Sequence, residues 1–246
     1  GRLAEGVNDL VAGIREREAL REAFGRQVGQ TDLAELAMSH DDATATGERR
    51  EVTVLFVDLR GYTRFSERHS PEHVVGMLNR FFAIVVAVVA REGGWVNKFE
   101  GDAALCLFGA PQDEPDHAAR ALRAATSIPK ELDRSDAQLR AGIGVASGQV
   151  IAGFIGTPER FEYTVIGDVV NVASRLCDLA KDEQAGVLAT AATFDAAGRP
   201  DEWSSAGRIG VRGRREKAEI YRLDPGTGSW WAKMTPRSTR ASRNAP

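Results

Sequence analysis

The apolar positions of this chain change period several times, and each change marks an element. Leu3, Val7, Leu10 and Ile14 recur at spacings of four, three and four, a coiled-coil seam of two heptads. Leu20, Phe24 and Val28 follow after a gap of six, so the heptad breaks there. Residues 1–30 therefore read as a helical segment. The small, polar and charged stretch Ser39 to Arg50 then places a linker over 31–50. Val52-Thr53-Val54-Leu55-Phe56-Val57 is a short β-branched apolar run, expected to be a central strand. A helix is predicted from Pro71 to Arg91, with Ser70 at its N-cap and Pro71 at its first position. Two apolar runs between Trp95 and Phe108 flank Gly101-Asp102, and a glycine at the first turn position predicts a type II′ hairpin. A second helix is predicted over Asp116 to Ile128, ended by Pro129. Leu139–Ala146 and Val150–Ile155 read as a strand pair around Gly148. A third helix follows Gly167-Asp168, with Val169, Val170, Ala173 and Leu176 on one face, and short strands are expected near Ile209 and Ile220.

This order is a split βαβ arrangement, an α+β domain over 51–224 with helices covering one face of a largely antiparallel sheet. Residues 225–246 carry Lys233, Arg237, Arg240 and Arg243 without an acid, and read as a disordered basic tail.

Composition narrows the picture. A chain of 246 residues, 43% hydrophobic, can bury one substantial core, or a core plus a short accessory segment. A net charge of -3 argues against nucleic acid as a partner. Cys106 and Cys177 both sit inside apolar patterns, the usage of a reducing compartment. The longest apolar run, Phe81 to Ala90, is about half of a membrane span and reads as a buried helix. The chain opens mid-pattern at Gly1, so a preceding segment is expected.

Candidate chemistry lies at the strand ends. Asp58 ends the first strand and Asp102 sits on the hairpin turn, so adjacent strand ends can present two carboxylates to a pair of divalent cations. Magnesium needs only one or two carboxylates when substrate phosphates complete its shell. An aspartate in a Gly-Asp turn also serves simply as a turn residue. The stretch Arg60-Gly61-Tyr62-Thr63-Arg64-Phe65-Ser66 could offer backbone N–H groups to phosphates. Asn171 and Arg175 are i,i+4 and share a helix face, either as a solvated surface or as a pair that holds a ribose and a developing phosphate charge. His69 and His73 have a metal-like spacing, but Pro71 between them and the lack of further ligands argue against zinc.

Three blocks occur in order: Phe56-Val57-Asp58-Leu59-Arg60-Gly61-Tyr62-Thr63, then Val96-Asn97-Lys98-Phe99-Glu100-Gly101-Asp102, then Tyr163-Thr164-Val165-Ile166-Gly167-Asp168-Val169-Val170-Asn171-Val172-Ala173-Ser174-Arg175. Together they resemble the class III adenylyl/guanylyl cyclase catalytic domain, over about residues 50–223. The resemblance implies a ferredoxin-like βαββαβ core with additional C-terminal strands. It implies that Asp58, Asp102 and the Leu59 carbonyl bind two Mg2+ ions, with Mn2+ as a substitute. Lys98 and Thr164 fall at the base-reading positions, where a lysine and a threonine suit adenine; a glutamate at the lysine position goes with guanine. Asn171 and Arg175 fall at the transition-state pair. Arg212 falls where the family has a lysine on the terminal phosphates. The resemblance thus implies an adenylate cyclase making 3′,5′-cyclic AMP and pyrophosphate from ATP, as a homodimer with two composite sites. The alternatives are a guanylate cyclase or a non-catalytic nucleotide-binding module of the same fold. Residues 1–30 resemble the end of a HAMP-type signalling helix, implying a cytoplasmic domain in a protein anchored in the cell membrane, downstream of a sensor.

Overall fold

The computed structural model describes residues 47–136, 139–157, 159–182, 186–210 and 217–224. The heptad segment, most of the linker, Arg212 and the basic tail lie outside these residues. The elements run β1 (Glu48–Leu59), α1 (Tyr62–Ser66), α2 (Pro71–Arg91), β2 (Trp95–Glu100), β3 (Ala103–Phe108), α3 (His117–Ser135) and β4 (Ala141–Thr157). They continue as β5 (Arg160–Ile166), α4 (Asp168–Asp182), β6 (Val187–Thr190), α5 (Ala191–Ala196), β7 (Trp203–Gly210) and β8 (Lys217–Leu223). The expected strand, helix, hairpin, helix, strand succession is present, in an eight-stranded mixed sheet of order β2-β3-β1-β4-β6-β8-β7 with β5 paired to β4.

β1 is central because it can be buried on both faces: Val52 to Val57 are all buried. It begins at Glu48, so Glu48, Arg49 and Arg50 of the expected linker pair with Ala152, Ile151 and Val150 of β4. On one face Leu55, Val57 and Leu59 meet Phe81, Val85, Val88 and Val89 of α2 and Ala121, Ala125, Ile128 and Leu132 of α3. α2 is long and apolar enough to cross a membrane by length and composition alone, yet this face of it lies in the core.

Three expectations are corrected. First, α3 does not end at Ile128; it runs through Pro129 to Ser135. Burying Ile128, Pro129 and Leu132 against the sheet outweighs the one backbone hydrogen bond that a proline removes. Second, no turn forms at Gly148. β4 is one strand of 17 residues, and it pairs with β1 continuously from Ala141↔Leu59 to Ala152↔Glu48. The hairpin partner of its far end is β5. Gly148 instead clears space for α4, since a Cβ there would lie 2.9 Å from Val169 Cγ2. Third, helices cover both faces of the sheet. Ala141, Ile143 and Val145 of β4 join the α2–α3 core, whereas the alternate positions Gly142 and Gly144 lie under α4.

The described residues divide into a smaller unit containing Gly153–Thr164 and a larger unit formed by Glu48–Ala152 and the residues from Val165 onward. Within the smaller unit Phe154 meets Phe161 and Tyr163 edge-on, with ring centroids 5.4 Å apart in each pair.

Candidate active site

The site is built where β1 ends. Glu100 and Ala103 pair across Gly101-Asp102, and Gly101 has φ 66° while Asp102 does not enter positive φ, as the type II′ reading requires. The turn is tied to β1, because Leu59 N–H donates to the Asp102 carbonyl at 3.2 Å. Asp58 pairs with Ala103 in the same ladder, so the two carboxylates come from neighbouring positions on adjacent strands. Leu59 turns its side chain into the core.

Asp58 is half-buried, and burial holds its carboxyl above the usual carboxylate range. The Lys181 ammonium opposes that shift and the neighbouring Asp102 adds to it. A buried carboxylate beside a second one is an excess of negative charge that a divalent cation relieves. Among the described residues no cluster of three or more His, Cys, Asp or Glu side chains could hold a metal. The Asp58 and Asp102 carboxylates would suit a magnesium ion that keeps water and phosphate oxygens rather than a closed protein cage.

Lys181 is the residue beside the carboxylates that sequence reasoning missed. Its Nζ lies 2.6 Å from Asp58 Oδ2 and 3.1 Å from Asp178 Oδ1. Burial pulls its ammonium pKa down, but the hydrogen bonds to Asp58 and Asp178 outweigh this and leave it raised. Two glycines let it arrive there. A Cβ on Gly142, the residue paired with Asp58, would lie 2.6 Å from Lys181 Cγ and 2.7 Å from the Cys177 carbonyl. At Gly144 a Cβ would fall 2.1 Å from the Ala173 carbonyl and 2.3 Å from Cys177 N, so α4 rests on bare strand backbone.

The same helix carries Asn171 and Arg175 upstream of Lys181. Both are exposed, while Lys181 is half-buried. Asn171 and Arg175 precede Lys181 by about 15 and 9 Å along the axis, rotated about 80° and 120° around it. The fold brings Asp58, Leu59 and Asp102 together, while Asn171 and Arg175 stand exposed further back along α4 than Lys181.

Lys98 stands half-buried on β2, paired with Leu105 just after an irregularity in the ladder, and Thr164 is half-buried on β5. Gly61, with φ 76°, starts the five-residue α1, whose Tyr62 and Phe65 pack on the core. His69 stacks on Phe65 with centroids 3.8 Å apart, and His73 Nδ1 lies 3.3 Å from Ser70 Oγ.

Comparison with known proteins identifies the family. Residues 45–225 match the family described as the adenylate and guanylate cyclase catalytic domain. The chain belongs to that family. Relatives of this cyclase domain include the uncharacterized protein Rv1318c of Mycobacterium tuberculosis, 46% identical over 222 residues that cover 89% of this chain and 41% of that protein. The uncharacterized protein Mb1353c of Mycobacterium bovis is 45% identical over 224 residues, with the same two shares. The cyclase domain thus spans about two fifths of the length of these curated relatives. Among solved structures, the adenylyl cyclase CyaB from Pseudomonas aeruginosa superposes with a TM-score of 0.67 at 27% identity, covering 74% of this chain and 97% of that one. The guanylyl cyclase Cya2 superposes with a TM-score of 0.61 at 30% identity, covering 74% and 96%. The fold of this chain is thus shared with an adenylyl cyclase and with a guanylyl cyclase.

Proposed function

We propose that this domain is an adenylate cyclase, acting in signal transduction as a homodimer with two composite sites. The observation that carries the reading is the arrangement of α4. One chain holds the carboxylate pair beside Lys181 and the complete Asn171/Arg175 pair, exposed and about 9 to 15 Å further back along the same helix. Two copies related by a two-fold axis can each supply what the other's site lacks.

In this reading the ribose 3′-oxygen of ATP attacks the α-phosphorus, the bond to pyrophosphate breaks, and the 3′-hydroxyl proton is released to water. Asp58, Asp102 and the Leu59 carbonyl would hold two Mg2+ or Mn2+ ions, which when bound acidify the 3′-hydroxyl and offset phosphate charge. Asn171 orients the ribose, and the Arg175 guanidinium stabilises charge on the phosphate oxygens as pyrophosphate leaves. Lys98 donates to adenine N1, and the Thr164 hydroxyl accepts from the 6-amino group. Arg212 is assigned to the terminal phosphates by its place in the sequence. The cytoplasmic placement, and a HAMP-type coupling of residues 1–30 to a membrane-anchored sensor, belong to the same proposal and rest on the resemblance of residues 1–30, notably Arg15 to Arg26, to a HAMP-type signalling helix.

The test is cyclic nucleotide formation from ATP and from GTP, with Mg2+ or Mn2+, across a range of protein concentrations. Cyclic AMP formation that rises more steeply than linearly with protein is expected. A protein that binds ATP but yields no cyclic nucleotide at any concentration would refute the enzyme reading.

A further inference from the structure

Lys181 has no part in the reaction described above, yet its ammonium group lies 2.6 Å from Asp58 Oδ2. The geometry points to a competition: we propose that Lys181 vies with divalent cations for Asp58 and passes to Asp178 alone when it loses. This inference rests on the metal-binding role proposed for Asp58 and Asp102.

The contacts define two positions for one ammonium group. Its Nζ is shared between Asp58 Oδ2 at 2.6 Å and Asp178 Oδ1 at 3.1 Å. The two acceptors differ in setting, since the Asp58 side chain is 18% exposed and that of Asp178 is 71% exposed. Asp178 lies one turn back on the same helix, so leaving Asp58 costs Lys181 only a small rotation of its flexible stem. A divalent cation on Asp58 and an ammonium group on the same carboxylate repel strongly where water is partly excluded. They do not share the site on equal terms. The missing side chain at Gly142 keeps the lysine stem aimed at Asp58.

The competition has a consequence for loading. Metal alone must displace the lysine, whereas metal arriving with nucleotide phosphates brings negative charge that offsets the repulsion between the ion and the nearby ammonium group. The domain is thereby biased against holding metal without nucleotide.

Mn2+ binding without nucleotide, followed by the loss of the free-ion paramagnetic resonance signal, tests this directly. Lys181→Met should bind Mn2+ about tenfold more tightly than the unaltered chain, the size expected when a charge-assisted competitor is removed. Lys181→Arg should stay near the unaltered value. Asp178→Asn should weaken Mn2+ binding severalfold by removing the lysine's second partner, and this effect should vanish in the Lys181→Met background. Circular dichroism checks each fold, and Lys181→Gln replaces Lys181→Met if the latter does not fold. Unchanged or weaker Mn2+ binding on removing Lys181 would overturn the proposal. So would an Asp178→Asn effect of equal size in both backgrounds, which would mean that Asp178 simply attracts the metal. Asp58→Asn separates the two levels of the argument. If it leaves Mn2+ binding intact, the metal site itself is misassigned and this inference falls with it. If it abolishes binding while Lys181→Met fails to tighten it, only the competition falls.

Discussion

Gly142 stands opposite Asp58 in the β1–β4 ladder, and the Lys181 stem passes through the space that a Gly142 side chain would fill. One glycine thus links the sheet, the helix above it and the carboxylate at the sheet's rim.

Gly144, two residues on, is the more stringent of the pair. The atoms nearest a Cβ at Gly144 are the Ala173 carbonyl and Cys177 N, which are backbone and cannot swing aside. Gly144→Ala should lower stability by about 3 kcal/mol. Urea unfolding should show a lower midpoint at unchanged slope. A midpoint equal to that of the unaltered chain would mean that α4 does not sit on the strand backbone.

If sites are shared between two copies, defects on different sides of the site complement. Asp58→Asn and Arg175→Ala should each be inactive alone. Mixing them in equal amounts should restore about a quarter of the unaltered activity, because half the dimers are mixed and each mixed dimer has one intact site. No recovery after verified subunit exchange would point to sites contained within one chain.

Base choice is expected to turn on Lys98, which a lone strand lysine of ordinary type would not control. Lys98→Glu should raise the ratio of GTP to ATP turnover by about tenfold or more, since it exchanges a donor for an acceptor facing the base. An unchanged ratio with retained activity would remove Lys98 from base reading.

A fourth expectation concerns acid stability. His117 Nδ1 lies 2.7 Å from Thr53 Oγ1, which lies 2.7 Å from Ser147 Oγ, so the start of α3 is joined to both central strands. Burial holds the His117 imidazole below its ordinary value of 6.5, against the pull of Glu51, Asp116, Glu114 and Asp113. The unfolded chain therefore binds that proton more readily. The stability from neutral His117 is fully present above about pH 6.5 and is lost as pH falls below it toward the folded value. Melting temperature should drop between pH 7.5 and 5, and His117→Gln should flatten that dependence; an equally steep drop in the variant would assign it elsewhere.

Much of this was legible along the chain, for reasons that are local. Val52–Val57 declares a buried strand by composition, and Gly101-Asp102 declares a hairpin by backbone freedom, so Asp58 and Asp102 could be placed at adjacent strand ends. What was not legible depends on distant partners. A glycine inside a strand signals either a turn or a close approach, and only the packing of α4 decides between them at Gly142, Gly144 and Gly148. Pro129 reads as a helix stop until the burial of its neighbours is known. Lys181 meets Asp58 across 123 residues, a separation at which no local spacing carries a signal. The brief α5 did leave a mark, since Thr190 Oγ1 accepts from Thr193 N–H as an N-cap threonine should.

α4 resting directly on strand backbone has a mechanical meaning as well. With no layer of side chains beneath it at Gly142 and Gly144, the helix has nothing to slide or roll on. It is a ruler, with Asn171 and Arg175 marked toward one end and Lys181 at the other. One residue inserted between Arg175 and Lys181 would turn everything downstream through about 100° and break the seating of Cys177 or Lys181 on the two glycines. In any symmetric pairing of two such chains the offset between the two ends is therefore set in units of backbone, and it is the same offset for both copies.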